Sequence, residues 1–267
     1  MYLLVVAVFL ISTYAVAEEG SQKIETGENY IANGKIRVQL QSAPRSKVTY
    51  SIWNKEEKNW DVLFAGSVGY GAGELFDLLI NEPAEEIKIE KTEDMATMEF
   101  KLTDRNKHRG KGGEGFYQAY KITIWENKRK AYIDLWDEEE GGKGRMGWLW
   151  GIKPQLARYL LGKRVLGNKP IADCQEIFEE KAKSRQIGTG NKWVGAYNPE
   201  NGYLYIIHYP KRYYLCAVMG KKGVRQFSHL NDTYSIYGMN IGKGKEPTFA
   251  VESAEKILAE EESEQKH

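Results

Sequence analysis

Apolar and polar residues alternate along most of the chain with a period of two. In residues 30–40, YIANGKIRVQL, Ile36, Val38 and Leu40 fall on one side and Lys35, Arg37 and Gln39 on the other. That pattern marks a strand with one buried face, entered through an Asn33-Gly34 turn. VTYSIW at 48–53 predicts the next strand, NKEEKN a charged turn, and Trp60 to Phe64 the returning arm of a hairpin. Ile87 to Ile89, Thr97 to Leu102, Tyr120 to Trp125 and Ala131 to Trp136 repeat the pattern, the last two joined by a turn at ENKRK. Trp193 to Tyr197, Leu204 to His208, Tyr213 to Val218, Tyr234 to Tyr237 and Thr248 to Val251 bring the total to about a dozen strands. The fold class this predicts is all-β.

Two stretches depart from the alternation. PQLARYLL at 154–161 has a helical period with Pro154 as a first-turn residue, and in IADCQEIFEEKAKSR at 171–185 Asp173 caps a helix with Glu176 three positions on. They predict a small helical insertion near 154–185. SAEKILAEEESEQKH at 253–267 reads as a charged helix or a frayed, solvated tail. No internal repeat and no Pro/Ser-rich linker divides the strands, so residues 18–252 are read as one β domain.

The first 17 residues, MYLLVVAVFLISTYAVA, are apolar but too few to span a bilayer comfortably, and Ala15-Val16-Ala17 has the form of a cleavage site. They are read as a signal peptide, although no Lys or Arg precedes the apolar run. The expected location is therefore secreted or periplasmic/extracellular, with no stable membrane span after cleavage. In such a compartment Cys174 and Cys216 allow one disulfide, worth roughly 3–4 kcal/mol on the chain-entropy model; two separate buried thiols are the other reading.

Composition sharpens the choice of partner. The 267 residues carry 38 basic and 37 acidic side chains, a net charge of +1, and mean hydropathy is -0.56. A globular chain so balanced has no general attraction to nucleic acid or anionic lipid, and no nucleic-acid partner is expected. The 17 Tyr and 7 Trp outweigh 8 Phe, so amphipathic rings dominate, and these suit wet binding surfaces as well as cores.

The order of elements resembles the galactose-mutarotase-like supersandwich, the large antiparallel β-sandwich of aldose epimerases and of domains in many polysaccharide lyases. The resemblance runs from about Tyr30 to Glu252. It rests on IANGKIRVQL, VTYSIWNKEEKNWDVL, the glycine-rich GSVGYGAGELFDLL, WVGAYNPENGYLYIIHYP and the closing GKEPTFAVE. It implies a large β-sandwich and a poly- or oligosaccharide ligand. Epimerases of this kind use a pair of His and a carboxylate to open a sugar ring, with one His inside an Asn-His-x-x-His-Gly type motif. The chain has no such motif: His108, in DRNKHRGKGG, stands without a second histidine nearby.

The richest window for chemistry is NGYLYIIHYPKR at 201–212. On a strand Tyr203, Tyr205, Ile207 and Tyr209 share one face, and Leu204, Ile206 and His208 the other. The tyrosine face suits stacking on sugar rings; a cross-strand aromatic ladder that only stabilises the sheet is the alternative. Trp148 and Trp150 with Arg145 read as an aromatic rim for a glycan, or as core residues of an ordinary strand. A lyase acting on uronic acids needs a base, an acid and a cation for the carboxylate. His208, His229, Tyr120 and Arg212 supply those types, provided that the windows meet in space. The DEEE run at 137–140 reads as a solvated turn, a calcium site being the alternative, and no histidine cluster suggests a metal. GKGGEG at 110–115 and GGKGRMGWLWG at 141–151 lack the phosphate-binding pattern, so no cofactor is expected. Carbohydrate binding through an aromatic-rich concave face is the leading expectation. A polysaccharide lyase using Tyr and His, and a non-enzymatic surface or envelope protein, are the alternatives.

Overall fold

The computed structural model describes residues 23–44, 46–67, 82–103, 117–137, 147–150, 159–162, 165–166, 169–170, 184–186, 193–208, 215–220, 223–229 and 233–264. The alternation at the start of the chain builds a five-stranded sheet in sequence order. Its strands are β1 (Glu25–Thr26), β2 (Tyr30–Ala32), β3 (Ile36–Gln41), β4 (Lys47–Asn54) and β5 (Asn59–Ser67). Ile36, Val38 and Leu40 of β3 and Val48, Tyr50 and Ile52 of β4 are all buried, on one face, as the period-two reading requires.

That face packs on an eight-stranded sheet. Its strands are β6 (Ala84–Lys91), β7 (Met95–Thr103), β8 (Tyr117–Trp125), β9 (Lys130–Asp137), β11 (Tyr159–Gly162), β15 (Trp193–Asn198), β16 (Tyr203–His208) and β19 (Thr233–Asn240). Their order is β11-β15-β16-β19-β9-β8-β7-β6, and every pairing among the described strands is antiparallel. Met98, Phe100, Tyr120, Ile122, Ile133, Tyr205, Ile207 and Ile236 face the five-stranded sheet and share one core with it. The result is the expected antiparallel β-sandwich. A smaller sheet of β10 (Gly147–Trp150), β14 (Ser184–Gln186), β17 (Leu215–Gly220) and β18 (Gly223–His229) has the order β10-β18-β17-β14, and β10 lies alongside β5. β12 (Val165–Leu166) and β13 (Lys169–Pro170) form a two-stranded ribbon.

Two expectations meet a different outcome. Within the stretch read as helical, the described residues are short strands: Tyr159, Leu160 and Leu161 pair with Tyr197, Ala196 and Gly195 of β15. Residues 154–158 and 171–183, with Asp173 and Glu176, lie outside the described residues, as do the signal segment 1–17 and Cys174. Thr248 to Val251 is not a strand but the first turn of helix α1 (Pro247–Glu264). For the charged tail the helical reading is the one observed, through residue 264, and this helix lies on the outer face of the large sheet. Ala250, Ala254 and Leu258, spaced four apart, meet Trp193, Tyr197, Leu204, Ile206, Tyr237 and Met239 in a second core. Buried Lys130 pairs with Glu261 of the helix at 2.9 Å, so its charge is not left uncompensated. No helix among the described residues is long and apolar enough to cross a membrane.

One end of the sandwich is pinned by two side chains. Asn33 is buried; its Nδ2 donates to the carbonyls of Trp125 (2.5 Å) and Lys128 (2.7 Å), and its Oδ1 accepts from the N–H groups of Lys35 (3.1 Å) and Ile36 (2.9 Å). Tyr50 Oη donates to the carbonyl of Arg129 at 2.9 Å. The first sheet thereby grips the β8–β9 turn of the second, and the candidate site is built around that turn.

Candidate functional site

A cleft of about 530 Å³ opens at this pinned end, between the β4–β5 turn, the β15–β16 turn and the end of β19. The β4–β5 turn is shaped by Asn54, whose Oδ1 accepts from the backbone N–H groups of Glu56 (3.0 Å) and Glu57 (3.1 Å). This is an Asx-type turn, the local bonding that favours asparagine there. With its oxygen so engaged, Asn54 turns its amide nitrogen to Asp61 Oδ2 at 2.8 Å and to Tyr203 Oη at 3.3 Å. Tyr203 Oη donates a hydrogen bond to the same Asp61 oxygen. Beside them Trp53 and Trp60, cross-strand partners, meet edge to face with centroids 5.3 Å apart.

The opposite wall is equally fixed. Asn201 Oδ1 accepts from the N–H of Tyr203 at 3.1 Å, and Asn240 Oδ1 from the N–H of Gly242 at 2.9 Å. Gly202 has φ 79°, and a Cβ there would lie 2.6 Å from the Gly242 carbonyl carbon, so only glycine lets these loops meet. Arg129 and Lys243 add cations to the lining.

Burial, and then the bond to Asp61, push the Tyr203 hydroxyl well above the ordinary tyrosine range. It keeps its proton at neutral pH and donates to Asp61, which it helps to orient. The arrangement offers a held carboxylate, amides, cations and an indole within one open cleft. Those groups can bind a polyhydroxyl ligand, whose hydroxyls both donate and accept. Among the described residues no group of three or more His, Cys, Asp or Glu is placed to hold a metal.

The sequence candidates are dispersed relative to this cleft. Tyr203 lines it. Tyr205 lies one pleat deeper, buried in the core between the sheets, so of the two described tyrosines on that face Tyr203 alone reaches the cleft. Tyr120 is 1% exposed, stacks on Phe100 and donates to Gln118 Oε1 at 2.6 Å. His208 alternates with core-facing Ile207, is half-buried, and lies on the outer side of the same sheet, across from Trp193 and Ser235. Tyr120 and His208 thus occupy opposite faces and do not share a cleft. His229 ends β18, its backbone paired with Gly147 beside Trp148 of β10, and Trp150 pairs with Gln226. Arg145, Tyr209 and Arg212 lie outside the described residues.

Asp61, Asn54, Trp53 and Arg129 were not singled out from the sequence. The one available signal was a charged turn with an asparagine at each end and a tryptophan outside each, WNKEEKNW.

No protein-family model matches the chain, and no curated protein sequence matches it. Among solved structures it is similar to an alpha-galactosidase from Lactobacillus brevis, with TM-score 0.49, 8% identity, and coverage of 82% of this chain and 39% of the enzyme. It is similar also to an alpha-mannosidase from Enterococcus faecalis, with TM-score 0.45, 12% identity and coverage of 86% and 31%. An alpha-galactosidase from Geobacillus stearothermophilus gives TM-score 0.45, 8% identity and coverage of 82% and 41%. The chain therefore spans about two fifths or less of the length of these enzymes.

Proposed function

We propose that this chain is an exported β-sandwich that recognises a poly- or oligosaccharide, with the cleft walled by Trp53, Asn54, Asp61 and Tyr203 as its binding site. One observation carries the reading: Asp61 is held by two donors on a single oxygen, Oδ2, at the wall of an open cleft lined by Trp53. Its other oxygen is left to accept a sugar hydroxyl, and a carboxylate already oriented loses little freedom on binding. The indole offers an apolar face to the C–H side of a sugar ring. The supersandwich resemblance belongs to the same reading, because it implies a glycan ligand.

A printed array of neutral and acidic oligosaccharides tests it. Wild-type protein is expected to bind a defined subset. Asp61→Ala is expected to lose about tenfold or more in affinity, as the removal of a charged hydrogen-bond partner worth roughly 1.5–3 kcal/mol implies. Binding that survives both Asp61→Ala and Trp53→Ala, or no binding by the folded wild type, would overturn the reading. Ultraviolet-absorbing unsaturated product from an acidic polysaccharide would replace it with a lyase.

A further inference from the structure

The cleft does not end at its basic wall. A second hollow of about 560 Å³ opens beyond it, between the β8–β9 turn and α1, with Lys35, Lys128, Ile257 and Glu260 in its lining. Arg129 and Asn240 line both hollows, so the two spaces meet across these residues. We propose that they are one groove, which binds a neutral saccharide as an extended chain crossing Arg129, and not as a single terminal sugar. This rests on the carbohydrate reading and adds the length and charge of the ligand.

Three observations support the chain. Each hollow lies within the roughly 300–1,000 Å³ of a small-molecule pocket, and the pair together exceeds it. The junction is rigid: Tyr50 holds the Arg129 carbonyl and Asn33 that of Lys128, which spares the ligand the cost of ordering the turn. The far wall is fixed as well, because Lys130 anchors Glu261 and with it the helix. The linings answer the question of charge. Among the described residues, cations and carboxylates number five of each over the two hollows, a balance that suits a hydroxyl-rich neutral chain and gives a polyanion no net attraction.

The test uses isothermal titration of the full chain with manno-, galacto- and gluco-oligosaccharide ladders from disaccharide to hexasaccharide. For one ladder, Kd is expected to fall about tenfold or more with length. The double variant Lys35→Ala/Glu260→Ala, its folding checked by thermal denaturation, is expected to weaken the hexasaccharide about five- to tenfold and leave the disaccharide unchanged. A flat ladder that still depends on Asp61 would overturn the groove and leave the first cleft standing. A folded double variant that binds the hexasaccharide as wild type would overturn it too. If no ladder binds, the neutral chain is wrong, and the array alone decides whether another glycan occupies the cleft.

Discussion

Tyr120→Ala is expected to lose about 3–5 kcal/mol of folding stability, in the range for deleting a large buried ring, while the folded fraction binds saccharide with wild-type affinity. Tyr120 is 1% exposed, and its ring lies 4.9 Å from that of Phe100 at an interplanar angle of 7°. Truncation opens a void between the sheets that neighbours on two rigid layers cannot fill. It also strands Gln118 Oε1, in a fully buried side chain, without the hydroxyl that donates to it. Urea denaturation and a binding isotherm on the same preparation check both halves. Unchanged stability with lost binding would instead make Tyr120 a ligand contact.

Asn33→Ala is expected to cost about 3 kcal/mol, since four side-chain hydrogen bonds vanish and the buried N–H of Ile36 loses its partner. Asn33→Asp, nearly identical in size, is expected to be no better. It keeps the acceptor for Lys35 and Ile36 but turns a carboxylate towards the carbonyls of Trp125 and Lys128, where two donors stood. Chemical denaturation of the two variants checks the order. An aspartate variant as stable as wild type would show that the link between the sheets depends on shape and not on donors.

Much of the fold was legible because a period-two pattern responds to a simple physical fact, that one face of each strand is wet. Ile36, Val38 and Leu40 announced their burial individually. Thr248 to Val251 misled because four residues with two β-branched side chains mimic a strand. The decisive pattern was the longer one, Ala250, Ala254 and Leu258 at helical spacing, opened by Pro247. The acidic run after it looked solvated until the fold supplied Lys130 opposite Glu261.

The site was harder to read for the same kind of reason. Tyr203 stood out as an aromatic on a strand, yet nothing local distinguishes it from Tyr205, two residues on and buried in the core. The difference arises because Tyr203 begins its strand, at the rim, where the other sheet presents Asp61 and Asn54. That meeting joins residues about 140–150 positions apart and depends on how two sheets stack, which alternation within one strand does not encode.

A crystal structure of the protein soaked with an array-positive oligosaccharide tests the central claim most directly. Sugar density against the Trp53 indole, with a hydroxyl within hydrogen-bond distance of Asp61 Oδ1, is the predicted result. Density at the opposite end of the sandwich, with the Asp61 cleft empty, would contradict it.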